Sequence, residues 1–157
     1  MKKLFFILLA SSLFVMCKSA STKTAADKPV AEVQYKDDFK SADAAEKKAL
    51  LSKLKATGKG YSVLIFTKNF IGEKVVASNA KKTLYSGYVI SDPKTGIAEK
   101  IRIDNSVDTK VYDTRTKKEV VIDVKNAQKY KFIYLMKNNE GDSAFLVTYS
   151  NTLRPLE

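Results

Sequence analysis

From residue 61 onward, apolar and polar side chains alternate with a period of two, and this pattern constrains the fold more than any other feature. Around residue 100, Ile97, Ile101 and Ile103 share one face of an extended chain, while Lys100 and Arg102 point the other way. The same period predicts eight strands, near residues 61–67, 73–78, 83–91, 97–103, 107–113, 118–124, 129–137 and 144–150. A chain with this pattern folds mainly as β-structure.

The connections between these predicted strands are short and rich in turn-forming residues. Gly, Asn, Asp and Pro concentrate at 70–73, 92–96, 104–106 and 138–142. Such connections are too short for crossover helices, so we expect antiparallel pairing. About eight strands must then stack as two sheets or close into a barrel, because a flat sheet leaves edges and one bare face. We therefore expect an antiparallel β-sandwich, with a small barrel as the alternative.

One short helix is predicted ahead of the β-region, over residues 43–57. Asp43 and Glu46 have the spacing of a capping box, and Gly58 and Gly60 follow as a stop signal. The apolar residues at helical spacing form one thin stripe, at Ala45, Ala49, Leu50 and Leu54. We expect this stripe to pack against the sheet, with docking onto a partner as the alternative.

The N-terminal segment has the organisation of an export signal. Lys2 and Lys3 precede an uncharged, mostly apolar stretch over residues 4–16, which is too short to cross a bilayer as a helix. The stretch ends at Cys17, the single cysteine of the sequence, so no intramolecular disulfide can form.

The end of this stretch resembles the lipobox of bacterial lipoprotein precursors, and it reads Leu13-Phe14-Val15-Met16-Cys17. In that family the cysteine is diacylated, the signal is cut just before it, and the new N-terminus is acylated. The resemblance covers residues 1–25 and implies a lipid anchor on Cys17 at a bacterial membrane, facing the periplasm or the cell surface. Two alternatives stay open, an ordinary signal peptide cut after residues 10–12 and an uncleaved anchor.

Three segments follow from these patterns. Residues 1–16 are predicted to be a signal peptide, residues 17–40 a lipidated cysteine with a flexible tether, and residues 41–157 a single domain. The tether prediction rests on small polar residues without periodicity after Cys17.

The chain is strongly basic, with a formal net charge of +11 at pH 7. Loss of Lys2 and Lys3 with a signal peptide leaves +9 on the side chains. Nearly all of this charge is lysine, a hydrated point charge without the planar fork that reads nucleic-acid bases, so we expect no nucleic-acid partner. Weak contact with anionic lipid or polymer is expected instead. The residues expected to contribute are Lys100, Arg102, Lys110, Lys129 and Lys131.

The sequence lacks the residues of the common catalytic and metal sites. It contains no His, which removes the Ser-His-Asp and Cys-His nucleophile systems and the His-containing zinc sites. The spacing Ser-x-x-Lys occurs without the supporting motifs of penicillin-recognising enzymes, at Ser52/Lys55, Ser78/Lys81 and Ser91/Lys94. The predicted turns hold carboxylates that commonly form the turn itself, at Asp92, Asp104, Asp108 and Asp113. We therefore expect no enzymatic activity, no metal and no cofactor.

Together these observations predict an envelope lipoprotein with a non-catalytic β domain that binds or braces another cell-envelope component. Its partners would be the membrane, through the lipid, and an envelope protein or an anionic lipid or polymer. Two alternatives from other classes are an envelope-polymer hydrolase that uses carboxylates or a Ser-Lys pair, and a secreted effector or inhibitor.

The first testable prediction concerns Cys17. The mature chain should begin at this residue and carry acyl chains, because the lipobox resemblance implies cleavage before it. Intact mass of membrane-extracted protein should show the loss of residues 1–16 together with added lipid, and Cys17→Ala should abolish processing at this site. An unmodified thiol in protein released from the membrane would contradict the prediction.

Overall fold

The computed structural model describes residues 29–139 and 141–156. Within them the chain forms nine strands and two helices. The strands are β1 (Ala31–Tyr35), β2 (Tyr61–Phe66), β3 (Ile71–Asn79), β4 (Thr83–Ile90), β5 (Glu99–Asp104), β6 (Thr109–Asp113), β7 (Lys118–Ile122), β8 (Phe132–Lys137) and β9 (Phe145–Ser150). The helices are α1 (Ala44–Lys53) and α2 (Val124–Ala127). The predicted mainly-β architecture is confirmed, and each of the eight predicted strands is present near its expected bounds.

The strands form two sheets that pack as a sandwich rather than a closed barrel. One sheet has five strands in the order β1-β9-β8-β2-β5, and the other has four in the order β4-β3-β6-β7. Strands joined by hairpins pair antiparallel, as expected, but β2 pairs with β8 and β1 with β9 in parallel. The expectation of antiparallel pairing fails for these two pairs because it holds only for neighbours in sequence, and several strands separate each parallel pair.

The tether prediction extends too far into the folded domain, because residues 31–35 form β1. This strand lies at the edge of the five-stranded sheet, where Ala31 is opposite Phe145 of β9. An edge strand buries few side chains, so it leaves a weak pattern in the sequence. Val33 and Tyr35 are 48% and 55% exposed. The predicted boundary at residue 41 therefore lies inside the domain.

The main hydrophobic core fills the space between the two sheets. Leu64 and Phe66 of β2 and Ile133 and Leu135 of β8 are fully buried there, against Val75 of β3. Burying one such side chain typically contributes about 1.5–3 kcal/mol. These side chains join the two sheets.

A second hydrophobic cluster lies on the outer face of the five-stranded sheet, under α1. Leu50 of the helix packs with Val63 and Ile65 of β2 and with Phe132 of β8. The prediction that the helix packs against the sheet is therefore confirmed. The alternate residues of β2 face opposite layers, so this strand is buried on both faces.

The ends of α1 differ from the sequence prediction in detail. Asp43 caps the helix by accepting a hydrogen bond of 2.7 Å from the Glu46 N–H. The Glu46 carboxylate does not complete the capping box, and it accepts instead from the Leu156 N–H at 2.7 Å, which fastens the C-terminal segment to the helix. The helix ends at Lys53, four residues before its predicted limit, and Lys55 adopts a left-handed backbone with φ of 51°.

A buried ion cluster joins the two sheets at one end of the sandwich. The Lys137 ammonium at the end of β8 contacts the carboxylates of Glu73 on β3 and Asp113 on β6, the second at 2.8 Å. The three residues are only 7%, 5% and 0% exposed. Burial would raise the pKa of both carboxyl groups, but hydrogen bonds from Lys137 and from backbone N–H groups hold each pKa below its ordinary value. Burial likewise opposes the charge of Lys137, yet its two carboxylate partners raise its pKa.

The second prediction tests this cluster through Lys137→Met. Removal of one partner from a buried ion pair typically costs about 3–5 kcal/mol, because the other charges stay buried. With their pKa values lowered, Glu73 and Asp113 stabilise the native fold above roughly pH 4 and lose this effect as the pH falls. In Lys137→Met the two buried carboxyl groups lose their cation, and burial then favours their protonated form. The loss of unfolding free energy relative to the wild type should therefore be smaller at pH 4.5 than at pH 7.5.

The measurement is urea unfolding of both proteins at the two pH values. Lys110→Met is the matched control, because Lys110 forms an exposed ion pair with Glu119 and such pairs contribute about 1 kcal/mol or less. The stabilising role of the cluster would be contradicted if Lys137→Met lost no more unfolding free energy than the control. It would also be contradicted if this loss grew as the pH was lowered.

Candidate functional site

Two of the five predicted contact residues lie side by side on β5, at the edge of the five-stranded sheet. Ile101 and Ile103 share one face of β5 and point into the core between the sheets, as the alternation predicted. Lys100 and Arg102 therefore project from the opposite face, on the side that carries α1. Ile97 does not share the face of Ile101 and Ile103 as predicted, because it precedes β5 and packs against the outer cluster under α1.

Lys100 and Arg102 form one wall of an open groove of about 450 Å³. The end of α1 and the turn between β3 and β4 bring further cations to it, so the lining carries five positive side chains and one carboxylate. These charged residues are Lys53, Lys55, Lys82, Lys100, Arg102 and Asp104. We call this feature the basic groove. Sequence reasoning missed Lys53, Lys55 and Lys82, because the helical and turn patterns showed them only as surface charges.

Arg102 is the most firmly positioned cation of the basic groove. Its guanidinium lies over the ring of Tyr61, 4.5 Å from the centroid, in a cation–π contact. One N–H donates to the Lys55 carbonyl at 3.0 Å, just beyond the C-terminus of α1, where a positive charge also favours the helix dipole. Arg102 has five N–H donors, so its remaining groups stay available to an anion in the groove.

The single carboxylate of the basic groove is already paired. Asp104 accepts hydrogen bonds from the Lys81 ammonium at 2.8 Å and from the Ser106 N–H at 2.9 Å. These contacts, with Lys81 the largest, hold the pKa of Asp104 far below its usual range. Lys81 thus offsets the negative charge of Asp104, and the groove keeps an excess of positive charge.

Lys129 and Lys131 line a neighbouring recess of about 440 Å³ on the other side of Tyr61. The Lys131 ammonium donates to the Gly58 and Tyr61 carbonyls at 2.9 and 2.8 Å, so it fastens the loop that precedes β2. Burial, and to a lesser degree Lys47, lowers the pKa of Lys131. Its position is therefore mainly structural.

Lys110 does not join the other four predicted residues. It lies on the outer face of the four-stranded sheet, on β6, and pairs with Glu119 of β7 at 3.1 Å. The structure thus brings Lys100 and Arg102 together, places Lys129 and Lys131 next to them, and separates Lys110.

The carboxylates considered for catalysis stabilise turns and local structure. Asp92 accepts from the Lys94 and Thr95 N–H groups, and Asp108 accepts from the Val124 N–H. Of the serines with a lysine three residues later, Ser91 donates to the Thr67 carbonyl at 2.6 Å and accepts from the Phe70 N–H. Among residues 29–139 and 141–156, no group of three or more Asp, Glu, His or Cys could hold a metal ion.

One exposed apolar patch lies at the start of β3 and the end of β4. Ile71 and Ile90 are opposite each other and 67% and 65% exposed, and Tyr88 beside them is 75% exposed. Small patches of this kind are ordinary on protein surfaces, so we assign no site to it.

Cys17 lies outside the described residues, so its lipidation stays a prediction. In the part of the chain that the structure describes, no helix is long and apolar enough to cross a membrane. No protein-family model matches the chain, and no curated protein matches its sequence.

Proposed function

We propose that the protein is a lipid-anchored component of a bacterial cell envelope whose non-catalytic β-sandwich binds an anionic envelope polymer. The observation that supports this most directly is the basic groove. Five cations from α1, β5 and the β3–β4 turn converge there, and the one carboxylate among them is paired with Lys81.

The position of the groove favours a ligand away from the anchoring membrane. The described chain begins at Pro29, and the Val30 carbonyl accepts from the Phe145 N–H at the start of β9. Phe145 is opposite Lys137, at the end of β8, and β8 runs parallel to β2. The N-terminal chain therefore enters the sandwich at the end of β2 opposite Tyr61.

The basic groove lies at the Tyr61 end of β2. A strand rises about 3.3 Å per residue, so the six residues of β2 separate the groove from the entering chain by roughly 17 Å. A lipid on Cys17 would attach to the opposite end of the domain through the segment that precedes Pro29. The groove would then lie on the side away from this attachment, open to envelope polymers.

The chemistry of the groove predicts weak binding with broad specificity. Lysines supply charge without bidentate geometry, so they attract an anionic chain without selecting one arrangement of it. The groove is open, and salt screens exposed charges within about 8–10 Å at physiological ionic strength. Binding should therefore weaken steeply as salt is added.

The third prediction is that neutralising Lys82 and Lys100 weakens binding to a long anionic polymer. Exposed ion pairs contribute about 0.2–1 kcal/mol each, so the double variant Lys82→Gln, Lys100→Gln should lose on the order of tenfold in affinity at low salt. The probe is inorganic polyphosphate, titrated at several salt concentrations by calorimetry, with uncharged dextran as the neutral polymer.

The matched control is the double variant Lys74→Gln, Lys118→Gln, which has the same net charge. Both of these lysines are exposed on the four-stranded sheet, and neither lines the groove. The control should keep most of the wild-type affinity. Equal losses in the two variants would show a general effect of net charge, and equal binding of dextran would exclude an electrostatic site.

A further inference from the structure

A second cavity, of about 410 Å³, lies on the outer face of the five-stranded sheet and shares no residue with the basic groove. α1 covers one part of this face, and the cavity occupies the part nearer the entering chain. Its walls come from β8 and β9, from the loop before β5 and from the C-terminal segment. Its volume falls within the range of about 300–1,000 Å³ typical of small-molecule sites.

Arg154 stands at one side of this cavity in a fixed orientation. Its guanidinium carbon lies 3.9 Å from the ring centroid of Phe39 and 4.4 Å from that of Tyr134. The backbone N–H of Arg154 donates to the Tyr134 hydroxyl at 2.9 Å, and that hydroxyl donates to the Thr152 carbonyl. Burial raises the pKa of Tyr134 to about 12, so the hydroxyl keeps its proton and both hydrogen bonds persist at neutral pH.

The guanidinium of Arg154 has no acceptor among the described residues. Its Nε is buried without a hydrogen-bond partner, and no carboxylate of the described residues forms an ion pair with it, since Asp38 acts on it only at longer range. A buried polar donor without an acceptor is costly, and a charged one more so. An arginine oriented by stacking and lacking an acceptor is the state expected of a site whose acceptor arrives with a ligand.

The rest of the cavity indicates what that ligand is. Met136 and Leu146, which are opposite each other on β8 and β9, supply an apolar floor, and Ile97 supplies a wall. Thr148 adds a hydroxyl, which accepts from the Gln34 side chain at 2.8 Å. The site therefore combines two cations, Arg154 and Lys68, with an apolar surface beside them.

We propose that this cavity binds a small amphipathic carboxylate, with its carboxylate on Arg154 and its apolar part on Met136 and Leu146. A carboxylate matches the planar guanidinium fork through two parallel hydrogen bonds. This site is independent of the basic groove and of the lipid anchor.

The experiment uses the full-length protein purified from membranes and ligand-observed NMR titration with hexanoate, against detergent micelles without protein. Hexanoate should bind saturably, and 1-hexanol and hexylamine should bind at least tenfold more weakly. Equal binding of hexanol would overturn the carboxylate assignment, as would tighter binding of hexyl phosphate, and no saturable binding of hexanoate would overturn the site.

Two variants separate the site from a purely structural role of Arg154. Arg154→Lys keeps the charge but loses the planar fork and should weaken hexanoate binding at least fivefold. Leu146→Trp fills the cavity while Arg154 itself is unchanged, and it should abolish binding, so it decides the question if Arg154→Lys fails to fold. Wild-type affinity in either folded variant would overturn the proposal.

The groove variant Lys82→Gln, Lys100→Gln should bind hexanoate as the wild type does. This control keeps the two hypotheses apart, because the groove can fail to bind polyphosphate while the cavity still binds hexanoate. A parallel loss of hexanoate binding in the groove variant would contradict a separate site.

Discussion

The structure depends on the parallel pairing of β2 with β8 inside the five-stranded sheet. Both strands are apolar on both faces, so each side of the sheet must be covered by a further layer. The four-stranded sheet covers one side, and α1 with the C-terminal segment covers part of the other. Because α1 has only ten residues, the outer layer is shorter than the sheet beneath it. The basic groove lies where the helix ends, and the Arg154 cavity lies beyond its cover. Both candidate sites follow from this incomplete layer.

The Lys137 cluster adds a directional constraint to a core that is otherwise apolar. Hydrophobic contacts tolerate small shifts between two sheets, but a buried ammonium shared by two carboxylates does not. The cluster connects β8 with β3 and β6 at the end of the sandwich where the N-terminal chain enters. If the proposed lipid anchor is present, a load from the membrane would reach the domain at this end. The cluster holds the two sheets together close to where the N-terminal chain enters.

The positive charge of the chain has different roles in different places. Lys137 is buried and neutralised, Lys131 fastens a loop, and Lys110 is paired on the surface. Around the groove, five cations share a concave surface with one carboxylate, which is already paired with Lys81. Net charge alone therefore does not locate a binding site, and the proposed site depends on how the lysines are arranged in space. Arg154 is an example with a single residue. Composition does not show that its guanidinium stacks on Phe39 and Tyr134, or that its Nε has no acceptor among the described residues.

The sequence by itself determined the local elements of this protein. Period-two alternation identified the eight strands and the orientation of Lys100 and Arg102, because it reports which face of a strand each residue occupies. Pairing between distant segments depends on packing across the whole chain, so the parallel partners of β2 and β9 and the edge strand β1 were decided only in the tertiary structure. The same holds for the groove, where Lys53, Lys82 and Arg102 come from separate elements, and for the stacking of Arg154 on Phe39. Local periodicity contains no information about which elements meet, because that choice is made by the burial of apolar faces against one another.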